Sequence, residues 1–366
     1  MTEPAGGVSA IGGGDTGSLA AAIGGVDPGS IAGRIVGGVA PVEPLFGLPL
    51  ADLWFVLLFF ILATFLFLDG FDFGVGAVFA LRRDEHEREQ LLAAIGPVWD
   101  GNEVWLVVFG GALFAAFPAV YANLFSRHYL LMFAILGALI LRGLAPEMYE
   151  QREDPGWRRW WGRAFVVGSV AAPFFLGVFA GNWLVGAATT VTLPGIAVGL
   201  ALVALTVVDG VAYLRLKVRG GVREDLRRIG RLATLAYLVL VVVALGTVGL
   251  AGEDLLATLL TAPVLGLVVV TVLLAGAYWL ATERDRYYLA FGAAAGLVYG
   301  LVAVVAVAMY PAIDPAVGLE VGDAIVSNRA LNLMSIGAAV LLPLVFVYFG
   351  VLYSAFAGPV EAGEGY

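Results

Sequence analysis

The stretch IGPVWDGNEVWLVVFGGALFAAFPAVYA, residues 95–122, decides how the whole chain is interpreted. It contains no Lys or Arg and exceeds the roughly 20 apolar residues that a helix needs to cross a bilayer. Near its start lies a polar and aromatic group: Trp99, Asp100, Asn102, Glu103 and Trp105. An ionisable side chain at the centre of a membrane helix costs about 2.5–3.5 kcal/mol on insertion scales. Two acids within one helical turn therefore indicate a specific polar site.

The composition is that of a polytopic membrane protein. Of the 366 residues, 61% are hydrophobic and 13% are charged, whereas a soluble domain is about 45–50% apolar and about 25% charged. The net charge is −9, and the 20 basic residues are sparse, so we expect no nucleic-acid partner. Because the sequence contains no cysteine, disulfides, thiolate catalysis, c-type haem attachment and cysteine-ligated metal sites are excluded.

Composition also divides the chain into three parts. Residues 1–50 are rich in Gly, Ala and Ser and lack a basic n-region followed by a compact apolar core. We therefore expect a disordered extension rather than a secretory signal, with a short interfacial helix near residues 18–22 as an alternative for part of it. Residues 51–358 form the predicted transmembrane helical domain, and residues 359–366 form a short acidic tail.

Apolar runs of membrane-spanning length recur along residues 51–358, which predicts an all-α membrane protein with about nine transmembrane helices. The first two runs are long enough to be tilted or broken. The sixth and seventh are joined only by residues 252–254, which predicts a tight antiparallel hairpin. The predicted spans lie near residues 53–80, 92–121, 128–146, 163–184, 194–216, 230–251, 255–280, 287–310 and 331–356.

Basic residues are distributed unevenly between the two sides of the predicted bundle. The loops that follow spans 1, 3, 5 and 7 contain sixteen Arg and Lys residues, and the opposite side contains three. Because cytoplasmic loops carry an excess of Lys and Arg, the N-terminus is predicted outside and the C-terminus in the cytoplasm. This orientation places Asp69 and Asp72 of span 1 at a similar depth to Asp100 and Glu103 of span 2, near the cytoplasmic side.

These four acids allow two interpretations. Each pair is spaced i,i+3, which puts its members on one helix face. In the structural interpretation, the carboxylates pair with an Arg or cap helices that break at Asp69-Gly70 and Asp100-Gly101. In the functional interpretation, they form a proton relay, which is a common use of intramembrane acids.

Other polar residues could complete or replace this cluster. Arg142 lies inside the apolar run of span 3 and is a candidate counter-ion for one acid, unless it only extends to the membrane interface. Glu147 follows near the inner end of the same span, and Asp209 of span 5 could join the cluster. His86 and His128 are not predicted on facing helices within the bilayer, so we expect this chain alone to ligate no b-type haem and no metal.

With these residues in view, the sequence resembles a known family. LDGFDFGVG at 68–76, followed by residues 95–122, resembles subunit II of the bd-type quinol oxidases. LRG at 141–143 with Glu147, GN at 181–182 and the closing span at 327–356 are similar to the same subunit. The resemblance covers about residues 50–356, although APEMYEQR after LRG departs from the family pattern.

The resemblance implies a terminal oxidase in a prokaryotic cell membrane that oxidises quinol and reduces O₂ to water. Two b-type haems and one d-type haem would belong to a partner, subunit I, and the present chain would hold at most a structural quinone. Asp100 would help to deliver cytoplasmic protons, with Glu103, Asp72 and Asp69 as further relay candidates. The supporting polar residues would be Trp99, Asn102, Arg142 and Glu147.

Two other functions remain open from the residues. A secondary transporter or ion channel also uses intramembrane carboxylates and broken helices. The two halves of the sequence, however, show no convincing duplicated pair of broken segments. A membrane subunit that only supports assembly, with structural acids, is the third option.

Overall fold

In the computed structural model, which describes residues 43–360, eight helices are long and apolar enough to cross a membrane. Two shorter helices that meet at an angle of 49° bring the number to nine if the pair is counted as one broken span. The prediction of an all-α protein with about nine spans is therefore confirmed. The expectations for residues 1–42 and 361–366 lie outside the described residues.

The described chain forms thirteen α-helices and one small β-hairpin. The hairpin consists of β1 (Ala312–Asp314) and β2 (Leu319–Glu320), which pair antiparallel. The helices are α1 (Leu50–Phe79), α2 (Glu85–Ile95), α3 (Trp99–Ala116), α4 (Pro118–Arg127), α5 (Tyr129–Glu150), α6 (Pro155–Leu184), α7 (Leu193–Lys217), α8 (Gly221–Gly249), α9 (Glu253–Leu259), α10 (Ala262–Glu283), α11 (Tyr287–Met309), α12 (Val321–Ala324) and α13 (Asn328–Ala355).

The second predicted span is broken, but not at an Asp-Gly pair. The break falls between α2 and α3, around Pro97, which has no backbone N–H and restricts the residue before it. Asp100 then lies in the first turn of α3 and Asp69 inside the unbroken α1. Neither acid caps a helix break, so the capping option within the structural interpretation does not hold.

The predicted hairpin between the sixth and seventh spans was also wrong. The short helix α9 separates α8 from α10, so the connection runs from Leu250 to Thr261 rather than over three residues. The apolar residues of α9 extended the hydrophobic run in the sequence. Pro263, in the first turn of α10, marks the actual start of that span.

Close packing between α1 and α7 depends on glycine. A Cβ atom on Gly74 would lie 1.9 Å from the carbonyl oxygen of Thr206 and 2.9 Å from the Cα atom of Gly210, so no side chain fits there. Small residues at such positions allow membrane helices to approach closely. The contact brings the acidic turn of α1 beside α7.

The bundle has two chemically different ends. The Arg-rich end carries the loops at residues 80–84, 151–154, 218–220 and 284–286, and also the C-terminal end of α13. The Arg-poor end carries the β-hairpin with α4, α9 and α12.

Buried polar contacts attach the β-hairpin to the helices at the Arg-poor end. Arg127 donates two hydrogen bonds to Asp314, at 3.0 and 3.3 Å. Trp183 Nε1 donates to the carbonyl of Ile313 at 2.7 Å. His128, next to Arg127, is 1% exposed, and neither ring nitrogen has a hydrogen-bond partner among the described residues.

The buried His128 should make the stability of the folded chain depend on pH. Burial lowers its pKa from 6.5, Arg127 lowers it further, and Asp314 partly opposes this shift. The unfolded state therefore has the higher His128 pKa and is protonated first as the pH falls. The free energy of unfolding should decrease as the pH drops through about 6.5, and it should level off below the pKa of the folded state. The thermal unfolding midpoint between pH 8 and pH 5 measures this.

The matched controls for this prediction are His128→Gln and His86→Gln. The first variant should flatten the pH dependence of the unfolding midpoint. The second removes an exposed histidine on α2 and should leave the dependence unchanged. A His128→Gln profile that is parallel to the wild-type profile would contradict the prediction.

Candidate functional site

Arg142 is the cation at the centre of the candidate site. It lies on α5, is 1% exposed, and donates a hydrogen bond from Nη2 to Asp69 Oδ1 on α1. Its Nη2 atom is also 3.8 Å from Glu103 Oε2 on α3. The guanidinium lies over the rings of Phe73 and Trp99, at 5.1 and 5.6 Å from their centroids. Arg142 therefore pairs with Asp69 of span 1 and lies near Glu103 of span 2, which agrees with the interpretation of Arg142 as a counter-ion.

A second chain of contacts connects α1, α3 and α13. Asn102 is completely buried and donates from Nδ2 to Asp72 Oδ2 at 2.9 Å. The hydroxyl of Tyr353 donates to Asn102 Oδ1 at 2.6 Å. Asp72 Oδ1 has no hydrogen-bond partner in the part of the chain that the structure describes. One oxygen of the Asp72 carboxyl is thus held by a hydrogen bond, while the other oxygen has no partner among the described residues.

Asp209 joins these acids from α7. It is completely buried, and neither carboxyl oxygen has a hydrogen-bond partner among residues 43–360. A Cβ atom on Gly70 would lie 3.4 Å from Asp209 Oδ2, so this carboxyl packs against the turn of α1 between Asp69 and Asp72. The sequence had suggested that Asp209 could belong to the cluster, and its position agrees with that suggestion.

We call Asp69, Asp72, Glu103, Asp209 and Arg142 the carboxyl cluster. The cluster holds four carboxyl groups and one guanidinium, which contacts only Asp69 and Glu103 among them, and all except the partly exposed Glu103 are buried. Taking an ion out of water costs several kcal/mol, and leaving it unpaired is unfavourable. A fully ionised cluster would carry three uncompensated negative charges, which burial in an apolar bundle disfavours.

Asp100 and Glu147 lie outside the carboxyl cluster, contrary to the expectation of one shared group. Asp100 is exposed, and its Oδ1 accepts a hydrogen bond from the backbone N–H of Gly101 at 2.7 Å. Since α3 begins only at Trp99, Asp100 faces the Arg-rich end while Glu103 turns toward Arg142. Glu147 is exposed on α5, about 140° around the helix from Arg142.

Asp100 instead lines a cavity of about 680 Å³ at the Arg-rich end, here called the vestibule. Its other polar side chains are those of Lys217 and Tyr213 from α7, and residues 356–360 cover it. Lys217 donates from Nζ to the carbonyl of Phe356, and its own carbonyl accepts from Val360 N at 2.8 Å. These two contacts hold the C-terminal segment over the vestibule.

Tyr213 lies between the vestibule and the carboxyl cluster. Its hydroxyl donates to the carbonyl of Ala94 at 2.7 Å, and its ring stacks on Phe71 at 4.1 Å. It follows Asp209 by one helical turn on α7. Neither Tyr213 nor Tyr353 was identified from the sequence as a site residue. The only sign of these residues in the sequence was a lone tyrosine near the end of an apolar span. Such a tyrosine is also typical of a membrane-interface anchor, so it does not indicate a site.

A separate, apolar cavity of about 620 Å³ lies in the half of the bundle nearer the Arg-poor end, where Tyr121 and Phe125 of α4 line it. Aromatic and aliphatic side chains from several helices form its wall, and they include Phe59, Phe109, Met132, Leu176 and Trp183.

The two histidines cannot ligate one metal centre together. His86 is exposed on α2 at the Arg-rich end, and His128 is buried at the Arg-poor end. Residues 43–360 also contain no group of three or more His, Asp or Glu side chains arranged to hold a metal ion. The described chain therefore does not fit a haem held between two of its own histidines.

Removal of the Arg142 charge is expected to destabilise the bundle strongly. Arg142→Gln leaves Asp69 and Glu103 without their cation, and breaking a buried pair from one side typically costs about 3–5 kcal/mol. Adding Asp69→Asn should restore part of the loss, because the unpaired carboxylate is removed. The thermal unfolding midpoint of the purified protein measures both effects.

The matched control is Arg231→Gln. Arg231 pairs with Glu283 at 2.9 Å, and both side chains are 37% exposed, so the cost should be about 1 kcal/mol or less. Equal shifts for Arg142→Gln and Arg231→Gln would contradict a central role for Arg142.

Comparison with known proteins identifies relatives of this chain. The family model for cytochrome bd terminal oxidase subunit II matches residues 50–356. Cytochrome bd ubiquinol oxidase subunit 2 of Bacillus subtilis (strain 168) is 31% identical over 322 residues, which cover 81% of this chain and 92% of the relative. Cytochrome bd-I ubiquinol oxidase subunit 2 of Escherichia coli (strain K12) is 28% identical over 355 residues, covering 82% and 92%.

A solved structure supports the fold independently. A chain of the bd oxidase from Geobacillus thermodenitrificans superposes with a TM-score of 0.72, covering 84% of this chain and 99% of that chain, at 17% sequence identity. The resemblance that the motifs indicated is confirmed. The chain therefore belongs to the family of cytochrome bd terminal oxidase subunit II, a membrane subunit of an oxidoreductase complex.

Proposed function

We propose that this chain delivers protons from the cytoplasm to the oxygen-reducing site of a quinol oxidase. The observation that carries the proposal is the carboxyl cluster, which places four carboxyl groups but only one guanidinium inside an apolar bundle. Reduction of O₂ to two water molecules consumes four protons, so the complex requires a proton path. Intramembrane acids that are short of counter-ions are suited to such a path.

The Arg-rich end is the proposed cytoplasmic side. Sixteen of the basic residues lie in or next to its loops, which is the bias that positive-inside orientation produces. The vestibule with Asp100 opens at this end. The chain then spans the cell membrane with its C-terminus in the cytoplasm, and the protons used for O₂ reduction come from that side.

Asp100 is the proposed point of proton uptake rather than a member of the buried relay. From the vestibule, the path leads past the hydroxyl of Tyr213 to Asp72 and Asp209, with water molecules between the side chains. Asp69 and Glu103 come next, arranged around Arg142. Glu103 has 30% of its side chain exposed on α3 and is therefore the proposed exit toward a partner subunit.

The haems are assigned to the partner, subunit I. The two histidines of this chain lie at opposite ends of the bundle and do not fit a shared haem. Two b-type haems, one d-type haem and quinol oxidation would accordingly belong to subunit I, and haem supplies the electron transfer to O₂. The Bacillus subtilis and Escherichia coli relatives are named as ubiquinol oxidase subunits. A structural quinone in this chain would use the apolar cavity beside Phe59 and Trp183.

The transporter alternative is less well supported than the oxidase function. Family membership over residues 50–356 associates the chain with an oxidoreductase complex. The scaffold alternative differs only in the role of the acids, which would then stabilise assembly without conducting protons. Substitutions that remove the proton but keep the shape of the side chain distinguish these two roles.

Asp100→Asn tests the point of proton uptake. In the assembled complex, quinol oxidase turnover should fall by roughly tenfold or more, because a positioned proton donor typically contributes at least that much. Haem content, measured by absorption spectra, should stay normal since Asp100 is exposed and makes only a local backbone contact. Asp254→Asn, an exposed acid at the Arg-poor end, is the control and should have normal turnover.

Asp72→Asn tests the buried relay. Asparagine can still accept the hydrogen bond from Asn102 but cannot carry a proton, so turnover should again fall by roughly tenfold or more. Proton uptake after a pulse of O₂, followed by a pH-sensitive dye, should slow by the same factor. Normal turnover with normal haem content would contradict a relay through Asp72. Loss of haem d instead would assign it to assembly.

A further inference from the structure

A basic groove lies at the Arg-rich end, on the side of the bundle where the end of α1 and the start of α2 meet the start of α6. It encloses about 840 Å³. Its wall combines arginines with a few acids and an apolar floor. The lining includes Arg88, Arg158, Arg159, Arg163, Glu85, Glu153, Phe79, Val166 and Val167.

Two of the four arginines are fixed by acids and aromatic rings. Arg158 contacts Glu85 and Glu89 at 2.9 and 3.0 Å and lies over the ring of Tyr149. Arg88 is 3.9 Å from Glu85 and lies over the ring of Phe79, at 5.1 Å from its centroid. These contacts give the groove one rigid wall whose charges are largely compensated.

The other two arginines are uncompensated. Arg159 and Arg163 are spaced i,i+4 on α6, so they project from the same helix face. Both are exposed, and neither forms an ion pair with any residue between 43 and 360. Four arginines against Glu85 and Glu153 in the lining, with Glu89 on Arg158, leave the groove with a net positive charge. Paired guanidinium groups suit a phosphate, because each can donate two parallel hydrogen bonds to its oxygens.

The position of the groove identifies the source of the phosphate. Arg163 is the last charged residue of α6, and the apolar part of the helix begins directly after it. Val166 lines the groove, and Val167, 56% exposed, continues its surface into the region that faces lipid. Trp160 is 66% exposed at the same level, where tryptophan commonly marks the membrane interface. A phosphate bound here would carry acyl chains along α6.

We infer that this groove binds the headgroup of an anionic phospholipid, with Arg159 and Arg163 on its phosphate and the acyl chains along Val166 and Val167. Basic pockets between membrane helices are suited to such headgroups, and Lys or Arg side chains near an anionic leaflet are attracted to it. The inference is independent of proton transfer, since none of the four groove arginines contacts the carboxyl cluster.

The test uses the complete oxidase complex, purified in mild detergent and examined by native mass spectrometry. Wild type and the double variant Arg159→Gln/Arg163→Gln are compared for co-purified lipid, and then for binding of phosphatidylglycerol after delipidation. The double variant should lose the bound anionic lipid and bind phosphatidylglycerol at least tenfold more weakly. The control Arg228→Gln/Arg284→Gln removes the same charge from exposed positions at the same end and should bind as wild type.

Three results would overturn the inference. The first is equal phosphatidylglycerol binding by the double variant and its control. The second is equally tight wild-type binding of phosphatidylcholine, which has no net charge. The third is displacement of the lipid by millimolar inorganic phosphate, which would make the groove a site for a free anion. Haem absorption and gel-filtration profiles confirm assembly of each variant, and if the double variant does not assemble, Arg163→Gln alone should weaken binding severalfold.

Discussion

The buried guanidinium of Arg142 is the interaction on which the arrangement of α1, α3 and α5 depends. A cation with 1% exposure in an apolar bundle requires anionic partners, and Asp69 and Glu103 provide them from two other helices. Close packing of α6 fixes the backbone of α5 at Arg142, because a Cβ atom on Gly168 would lie only 2.6 Å from the backbone nitrogen of Arg142. A shift of any of these helices would therefore leave a charge without its partner.

The same packing concentrates more acid than one arginine can neutralise. Contact between Gly74 and Gly210 brings α7 against α1, and with it Asp209 against the turn that holds Asp72. Three buried carboxyl oxygens on these two residues have no hydrogen-bond partner in the described part of the chain. Such groups cost stability, and proteins tend to tolerate that cost where function requires it. An arrangement that only held helices together would gain from replacing Asp209 with an apolar residue.

The sequence was sufficient to predict the helices that are long and apolar enough to cross a membrane, because apolar runs of that length are conspicuous. It was not sufficient to separate Asp100 from Glu103. Their directions depend on where α3 begins, and the break around Pro97 sets that start. Nor could it place Tyr353 on Asn102, since a contact between residues 251 positions apart exists only after the helices have packed.

The separation of Asp100 from the carboxyl cluster bears on how a proton path can operate without leaking. Asp100 is exposed to water, whereas Asp72 and Asp209 are completely buried. The stacked rings of Tyr213 and Phe71 lie between Asp100 and these buried acids, together with the hydrogen bond from Tyr353 to Asn102. In the proposed function, a proton crosses this layer only when a hydroxyl or a water molecule reorients. In that function, the buried acids hold protons until the partner subunit draws one from them through Glu103, the partly exposed acid of the cluster.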